Sequence, residues 1–332
     1  MSSTSSNIGP TSRRPRQLAG IVIAIVFALA IGAVASAQQF YQPATDISNV
    51  TNMLPYEGLA YWNNALYVAY GNLTTGELEV AVSTNNGQSF SNPTTYSSIV
   101  MSGNPSLAVF NGVLYAAYRC NCSSYTLTMT YTTDGVHFAT PFTVGSGGGY
   151  QSIGEGLALA SYQNQLWMVW YDRYSGSIDY SSTANPTSWG GFAVAGPEGG
   201  TSVEATTGPG LAVYGDTLYL GYRDASTHEL VVGLFNGTYW TDYFNYPSLT
   251  MDSSPVMSGW FDGFIVAYRG TSDLTLYVSN CQSVDSCSAP TIYSNIEQGV
   301  GGAAQNTEGE LFLSLRKGSS PWNLYTTNNL GD

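Results

Sequence analysis

One stretch, repeated along the chain, limits what the sequence can fold into. Its clearest copy runs from Pro209 to Asp224, Pro-Gly-Leu-Ala-Val-Tyr-Gly-Asp-Thr-Leu-Tyr-Leu-Gly-Tyr-Arg-Asp. It reads as a strand, a tight turn and a second strand. The apolar residue that opens the second strand recurs as Leu66, Leu114, Leu166, Leu218, Phe264 and Leu311, at spacings of 48, 52, 52, 46 and 47 residues. A period near fifty with several strands in each unit is the mark of a β-propeller.

The turns ahead of these anchors keep the register. They hold Asn63-Asn64, Asn111-Gly112, Gln163-Asn164, Gly215-Asp216, Asp262-Gly263 and Glu308-Gly309. Asn, Asp and Gly tolerate positive φ, which a two-residue hairpin turn needs. First strands are short and apolar, as in Leu107-Ala108-Val109 and Leu211-Ala212-Val213. Third strands alternate, as in Glu77 to Val82. Fourth strands carry an aromatic and a proline, as in Phe90-Ser91-Asn92-Pro93 and Phe138-Ala139-Thr140-Pro141. The expected fold is therefore all-β, six four-stranded antiparallel blades in one domain over residues 38–332. The sixth unit ends after its third strand, near Tyr325 to Asn329. Phe40-Tyr41-Gln42-Pro43 looks like a fourth strand and is expected to complete that last blade, which removes an exposed edge.

The first 37 residues read as a signal peptide. Arg13, Arg14 and Arg16 precede an unbroken apolar run from Leu18 to Val34, and Ala35-Ser36-Ala37 fits a small-x-small cleavage site. An uncleaved anchor is the alternative, since such a run is near the shortest that spans a bilayer. Either way the chain is expected outside the cytoplasm, secreted or at the cell surface. Cleavage would remove three of the nine basic residues and none of the 22 acidic ones, leaving a net charge of −16. That charge argues against nucleic acid and anionic membranes as partners.

Ser83-Thr84-Asn85-Asn86-Gly87-Gln88-Ser89-Phe90 resembles the Asp-box of the sialidase (neuraminidase) superfamily, Ser-x-Asp-x-Gly-x-x-Trp, with Asn85 in place of Asp and Phe90 in place of Trp. Thr132-Thr133-Asp134-Gly135-Val136-His137-Phe138 looks like a shortened copy. The resemblance implies a six-bladed propeller with these hairpins between third and fourth strands. For an active member it also implies three arginines that clamp a carboxylate, a Tyr nucleophile activated by Glu, and an Asp acid. The family's Arg-Ile-Pro segment is absent here, and the Tyr, Glu and Asp have no assignable positions.

Every arginine outside the leader falls at or near the exit of a second strand: Arg119, Arg173, Arg223, Arg269 and Arg316. The layout gathers them on one face, where planar guanidinium forks suit carboxylate or sulfate recognition. Pairing with local carboxylates, as in Asp172-Arg173 and Arg223-Asp224, is the structural alternative. Glu57 and Glu155, in matching Glu-Gly-Leu-Ala contexts, are expected at the channel rim of the same face. They are the candidate catalytic carboxylates, and equally candidate partners of the arginines. With only His137 and His228, a Ser-His-Asp triad or a histidine metal site is not expected, and no metal or cofactor is expected at all.

Four cysteines in an exported chain point to disulfides. Cys281 and Cys287 flank one hairpin and are expected to pair. Cys120 and Cys122 would form a tight ring or stay reduced. Trp189, Tyr239, Trp240 and Trp322 could stack on sugars or pack between blades. The fourth repeat, with Arg223, Glu229 and Trp240, loosely resembles the blade of six-bladed fungal fucose lectins. The reading that follows is an exported, monomeric glycan-binding propeller that recognises acidic or hydroxyl-rich sugars on the Arg-bearing face. The competing classes are an exo-sialidase or related glycoside hydrolase, and a structural or protein-interaction scaffold.

Overall fold

In the computed structural model the chain divides into a short unit, Met1–Gln38, and a unit Gln39–Asp332. The structure describes residues 45–330 except 55–56, 104, 123–124, 146–152, 197–204, 206, 272–274, 308–309 and 318–322. Side chains of 45–46, 155, 294–312 and 314–330 also lie outside that description. The leader, Phe40 to Pro43 and Trp322 fall among the residues left out. Among the described residues no helix is long and apolar enough to cross a membrane.

Among the described residues all regular elements are strands. After β1 (Thr45–Thr51) come four consecutive meanders. The first is β2 (Gly58–Trp62), β3 (Ala65–Gly71), β4 (Glu77–Ser83) and β5 (Thr94–Val100). The second is β6 (Ser106–Phe110), β7 (Val113–Arg119), β8 (Leu127–Thr132) and β9 (Phe142–Thr143). The third is β10 (Ile153–Tyr162), β11 (Gln165–Asp172), β12 (Ile178–Thr183) and β13 (Ala193–Val194). The fourth is β14 (Gly210–Tyr214), β15 (Thr217–Arg223), β16 (Glu229–Phe235) and β17 (Trp240–Thr250). Each is a four-stranded antiparallel sheet in sequence order. The remaining strands are β18 (Val256–Trp260), β19 (Gly263–Arg269), β20 (Thr275–Ser283), β21 (Ser286–Cys287), β22 (Thr291–Thr307), β23 (Glu310–Lys317) and β24 (Asn323–Leu330). With β1 they form one eight-stranded sheet, because the long β22 pairs with β20 through its first half and with β23 through its second.

The N-terminal strand does join the last one. β1 runs antiparallel to β24, with Thr45 opposite Thr326 and Ile47 opposite Leu324. The described strand is Thr45–Thr51, and Phe40 to Pro43, where the sequence places the closing strand, lie outside the described residues. Ile47 and Val50 also pack against Leu59, Leu66 and Phe90 of the first sheet.

The hairpin turns follow the expected chemistry where both central residues are Asn, Gln or Gly. Asn63 and Asn64, Asn111 and Gly112, and Gln163 and Asn164 all have positive φ. The fifth turn sits one residue earlier than expected. Trp260 pairs with Gly263, so the loop is Phe261-Asp262 and Gly263 already belongs to β19. A Cβ on Gly263 would lie 2.0 Å from the Cys281 carbonyl oxygen, so this glycine serves close packing rather than the turn.

The core is distributed between sheets. One cluster joins Tyr67, Leu78 and Val80 of the first sheet to Leu107, Leu114 and Tyr118 of the second. Equivalent clusters join the second sheet to the third, the third to the fourth, and the fourth to β18–β20. Second strands are buried along almost their whole length, while β5 is mostly exposed. Each sheet therefore buries both faces of its inner strands and leaves its outer strand wet. Innermost strands meet in series, β2 to β6, β6 to β10, β10 to β14, β14 to β18, β18 to β22, and β22 to β2.

Candidate ligand-binding face and central channel

The innermost strands enclose a channel of about 390 Å³. Described residues from β2, β6, β10, β14 and β18 line it, and Glu57, Tyr61, Ser106, Ser161, Ser254 and Ser258 supply polar side chains among aliphatic ones. One end is bounded by residues that lead into the first strands, Glu57, Pro105, Pro209, Ser254 and Pro255.

That end is built on a repeat that the sequence did not reveal. Each entering segment places one residue in a β-bridge beside the exit of its sheet's second strand. The pairs are Met53 with Asn72, Met101 with Cys120, Ile153 with Asp172, Ala205 with Asp224, Met251 with Gly270, and Gln298 with Lys317. Five of the six are buried apolar residues, Met, Ile or Ala, and the sixth is Gln, so the backbone bridge identifies the position more sharply than the residue type.

Ladder register then decides which arginines are equivalent. The residues one before the bridge are Gly71, Arg119, Tyr171, Arg223, Arg269 and Arg316, opposite Leu78, Leu127, Ile178, Leu230, Leu276 and Leu324. Arg173 stands two residues beyond its register position, on an exposed loop. Tyr171 occupies the place instead, and its ring leaves no room for a Cβ on Gly154.

The described register arginines hold the entering segments. Arg119 donates from Nε to Ser102 Oγ (3.0 Å), from one terminal nitrogen to the Ser102 carbonyl, and from the other to the Ile153 carbonyl (3.4 Å). Arg223 Nε donates to the Met251 carbonyl at 2.7 Å. Ile153 and Met251 are both bridge residues of the following sheet, so these are one interaction used twice. Arg269 pairs with Asp252 through Nε–Oδ1 at 2.6 Å and a terminal nitrogen to Oδ2 at 2.9 Å. Asp252 stands where Ser102 stands, one residue past the bridge. Arg119 thus clasps its own segment and the next, Arg223 the next, and Arg269 its own. The Arg316 side chain lies outside the described residues.

The two glutamates are not equivalent. Counting back along the ladders, Glu57 matches Leu157, because Leu59 pairs with Val68 and Leu159 with Met168. Glu155 is two residues earlier, in a first strand that β10 extends at its start. Their shared Glu-Gly-Leu-Ala context hid that offset. Glu57 is only 3% exposed and lines the channel. The Glu155 side chain lies outside the described residues.

Asp179, opposite Trp170, is a second buried carboxyl. Burial pushes it up to about 6, aided by the charge of Asp172 and opposed by the Ser177 hydroxyl, which donates to it at 3.0 Å. Burial likewise raises the phenols of Tyr70, Tyr118, Tyr222 and Tyr268, so these second-strand tyrosines are packed as neutral hydroxyls. Trp240 is fully buried against Tyr180 and Phe235, and Trp189 is buried too, so neither presents a face to a sugar. That removes the aromatic from the lectin-like trio of the fourth repeat.

Among the described residues, the exposed aromatics on the loops between second and third strands are Tyr125 and Tyr174. Sequence reasoning missed them, because a loop tyrosine carries no periodicity. Both cysteine pairs are at disulfide distance, Cys281 with Cys287 as expected and Cys120 with Cys122 as a ring over one intervening residue.

The opposite end carries hairpins held by side-chain caps. Ser83 Oγ donates to Asn85 Oδ1 (2.8 Å) and accepts from Gly87 N (2.9 Å), and Asn85 Oδ1 accepts from Ser89 N (3.0 Å). Thr132 and Asp134 repeat the pattern with Gly135, Val136 and His137. Thr183 and Asn185 give a third version that ends on buried Trp189.

No family model and no curated protein matches the sequence. Solved structures do resemble the fold. The NanB sialidase from Streptococcus pneumoniae superposes with a TM-score of 0.62 at 10% identity, over 87% of this chain and 70% of that one. The Hadza microbial sialidase Hz136 gives 0.59 at 13%, over 83% and 65%. A triple arginine-to-alanine mutant of AofleA from Arthrobotrys oligospora gives 0.61 at 11%, over 84% and 85%. The chain therefore has the β-propeller-like fold of sialidases.

Proposed function

We propose that the protein is a closed six-bladed propeller, exported from the cell, that binds carbohydrate over the channel mouth on its Arg-bearing end. The observation that carries the reading is the channel itself, lined by the Glu57 carboxyl and by Ser106, Ser161, Ser254 and Ser258. A polar, concave site of this kind matches the hydroxyl-rich edge of a sugar. The serial contact of the innermost strands, and β1 joined to β24, support closure. Two disulfides suit an oxidising compartment, and the fold is one that sialidases use. Because Arg119 and Arg269 clasp the entering segments, Arg173 is the arginine offered to an acidic sugar.

Glycoside hydrolysis is the second reading, and buried Glu57 is what favours it. The secreted protein is to be applied to an array of immobilised oligosaccharides and, in parallel, to fluorogenic glycosides that include a sialoside. Saturable binding without release is the expected result. Release that is lost in Glu57→Gln would make the protein a glycosidase. Absence of both would leave an interaction scaffold.

A further inference from the structure

We infer that Tyr125, on the loop between β7 and β8 at the Arg-bearing end, is a stacking platform for a pyranose ring, an inference that rests on the carbohydrate reading above. Tyr125 has φ of 47°. Aromatic L-residues enter that left-handed region only against a steric cost. Its side chain is 42% exposed, so burial does not repay the cost.

The loop is nevertheless held firmly. Tyr125 N donates to the Cys122 carbonyl at 3.1 Å and Cys120 N to the Thr126 carbonyl at 3.0 Å. The Cys120–Cys122 pair closes its stem. Behind the ring, the Arg119 guanidinium carbon lies 5.2 Å from the ring centroid. That guanidinium is itself fixed by Ser102 and by the carbonyl of Ile153, the first residue of β10. One face of the ring thus rests on a clamped cation. Strain retained at a largely exposed residue marks a demand on where the side chain points. A flat aromatic face held in place is what the apolar C–H face of a sugar ring stacks on.

The test uses the secreted protein on the oligosaccharide array, followed by titration of the best-bound oligosaccharide in free form. Tyr125→Ala should weaken binding about tenfold or more, while Tyr125→Phe should stay within about threefold of wild type. Tyr125→Gly should lose affinity while its Tm holds or rises, because glycine relieves the left-handed strain. A tyrosine with a merely structural role would lower Tm and affinity together. Wild-type affinity in Tyr125→Ala, or a fall in Tm in Tyr125→Gly, would overturn the platform alone. Failure of the wild type to bind any immobilised sugar would overturn the carbohydrate reading and the platform with it.

Discussion

The two ends of the sheets are built on opposite logics. At the hairpin end, one short sequence pattern makes one geometry, and each copy is closed by its own side chains. Ser83 and Asn85, or Thr132 and Asp134, bond to backbone a few residues away. At the Arg-bearing end one geometry, the six-fold bridge, is held by different chemistry in each sheet. Arg119 reaches two entering segments, Arg269 reaches a carboxylate, and Tyr171 uses an aromatic ring. Local bonds make a hairpin that can be read from its own residues. Bonds to the entering segments, of the same sheet or the next, make a clasp whose partner lies 17 to 34 residues away.

The largest break in this comparison should come from Arg119→Ala. The guanidinium is buried and donates to two entering segments, so its loss leaves buried carbonyls without their donor. A destabilisation of about 3 kcal/mol is expected in urea unfolding. A cost below about 1 kcal/mol would mean that the backbone bridges hold the segments unaided.

Next in size is the staple at the opposite end. Replacing Cys281 and Cys287 together by serine removes a six-residue closure. The loss should be about 2 kcal/mol, by the entropy of a short loop. The staple lies within one hairpin, so an unfolding slope unchanged from wild type is expected. An altered slope would show that the hairpin end also couples sheets.

Much of the fold was legible because its signals are local. The anchors Leu66 to Leu311 fall at one ladder position in every repeat, each five residues before the register position that Arg119 and Arg223 occupy. Asn-Asn and Asn-Gly dictated their turns. The site was less legible. Glu57 and Glu155 share a motif, but β10 starts early and sets them two residues out of step. Arg173 resembles its neighbours in sequence but misses the register. Asp252, the partner of Arg269, sits in a segment whose sequence varies freely, and Tyr125 shows its importance only through a backbone angle. In each case the deciding quantity is a register, a contact or a backbone angle of the folded chain, which no single stretch encodes.

Asp179 gives a pH-dependent test of about 1 kcal/mol, once partial solvent screening is allowed for. Its carboxyl titrates near 6 in the folded protein and near 3.9 when unfolded. The folded state therefore binds the extra proton between these values, and stability falls as pH rises from about 4 to about 6. Urea midpoints across that window should drop more in wild type than in Asp179→Asn. Parallel profiles would mean that the carboxyl is solvated and that this end of the third sheet is less closed than its burial implies.

The smallest expected effect sharpens the comparison most. Arg173 is exposed and stands past the register position, where Tyr171 does the packing. Arg173→Ala should leave the unfolding free energy within about 0.5 kcal/mol of wild type. Its cost should appear only in binding, as weaker capture of acidic oligosaccharides that eases further as salt is raised. Stability lost on the scale of Arg119→Ala would make Arg173 another clasp. All the arginines whose side chains are described would then serve architecture, and ligand recognition at this end would fall to Glu57, the serine hydroxyls and the loop tyrosines.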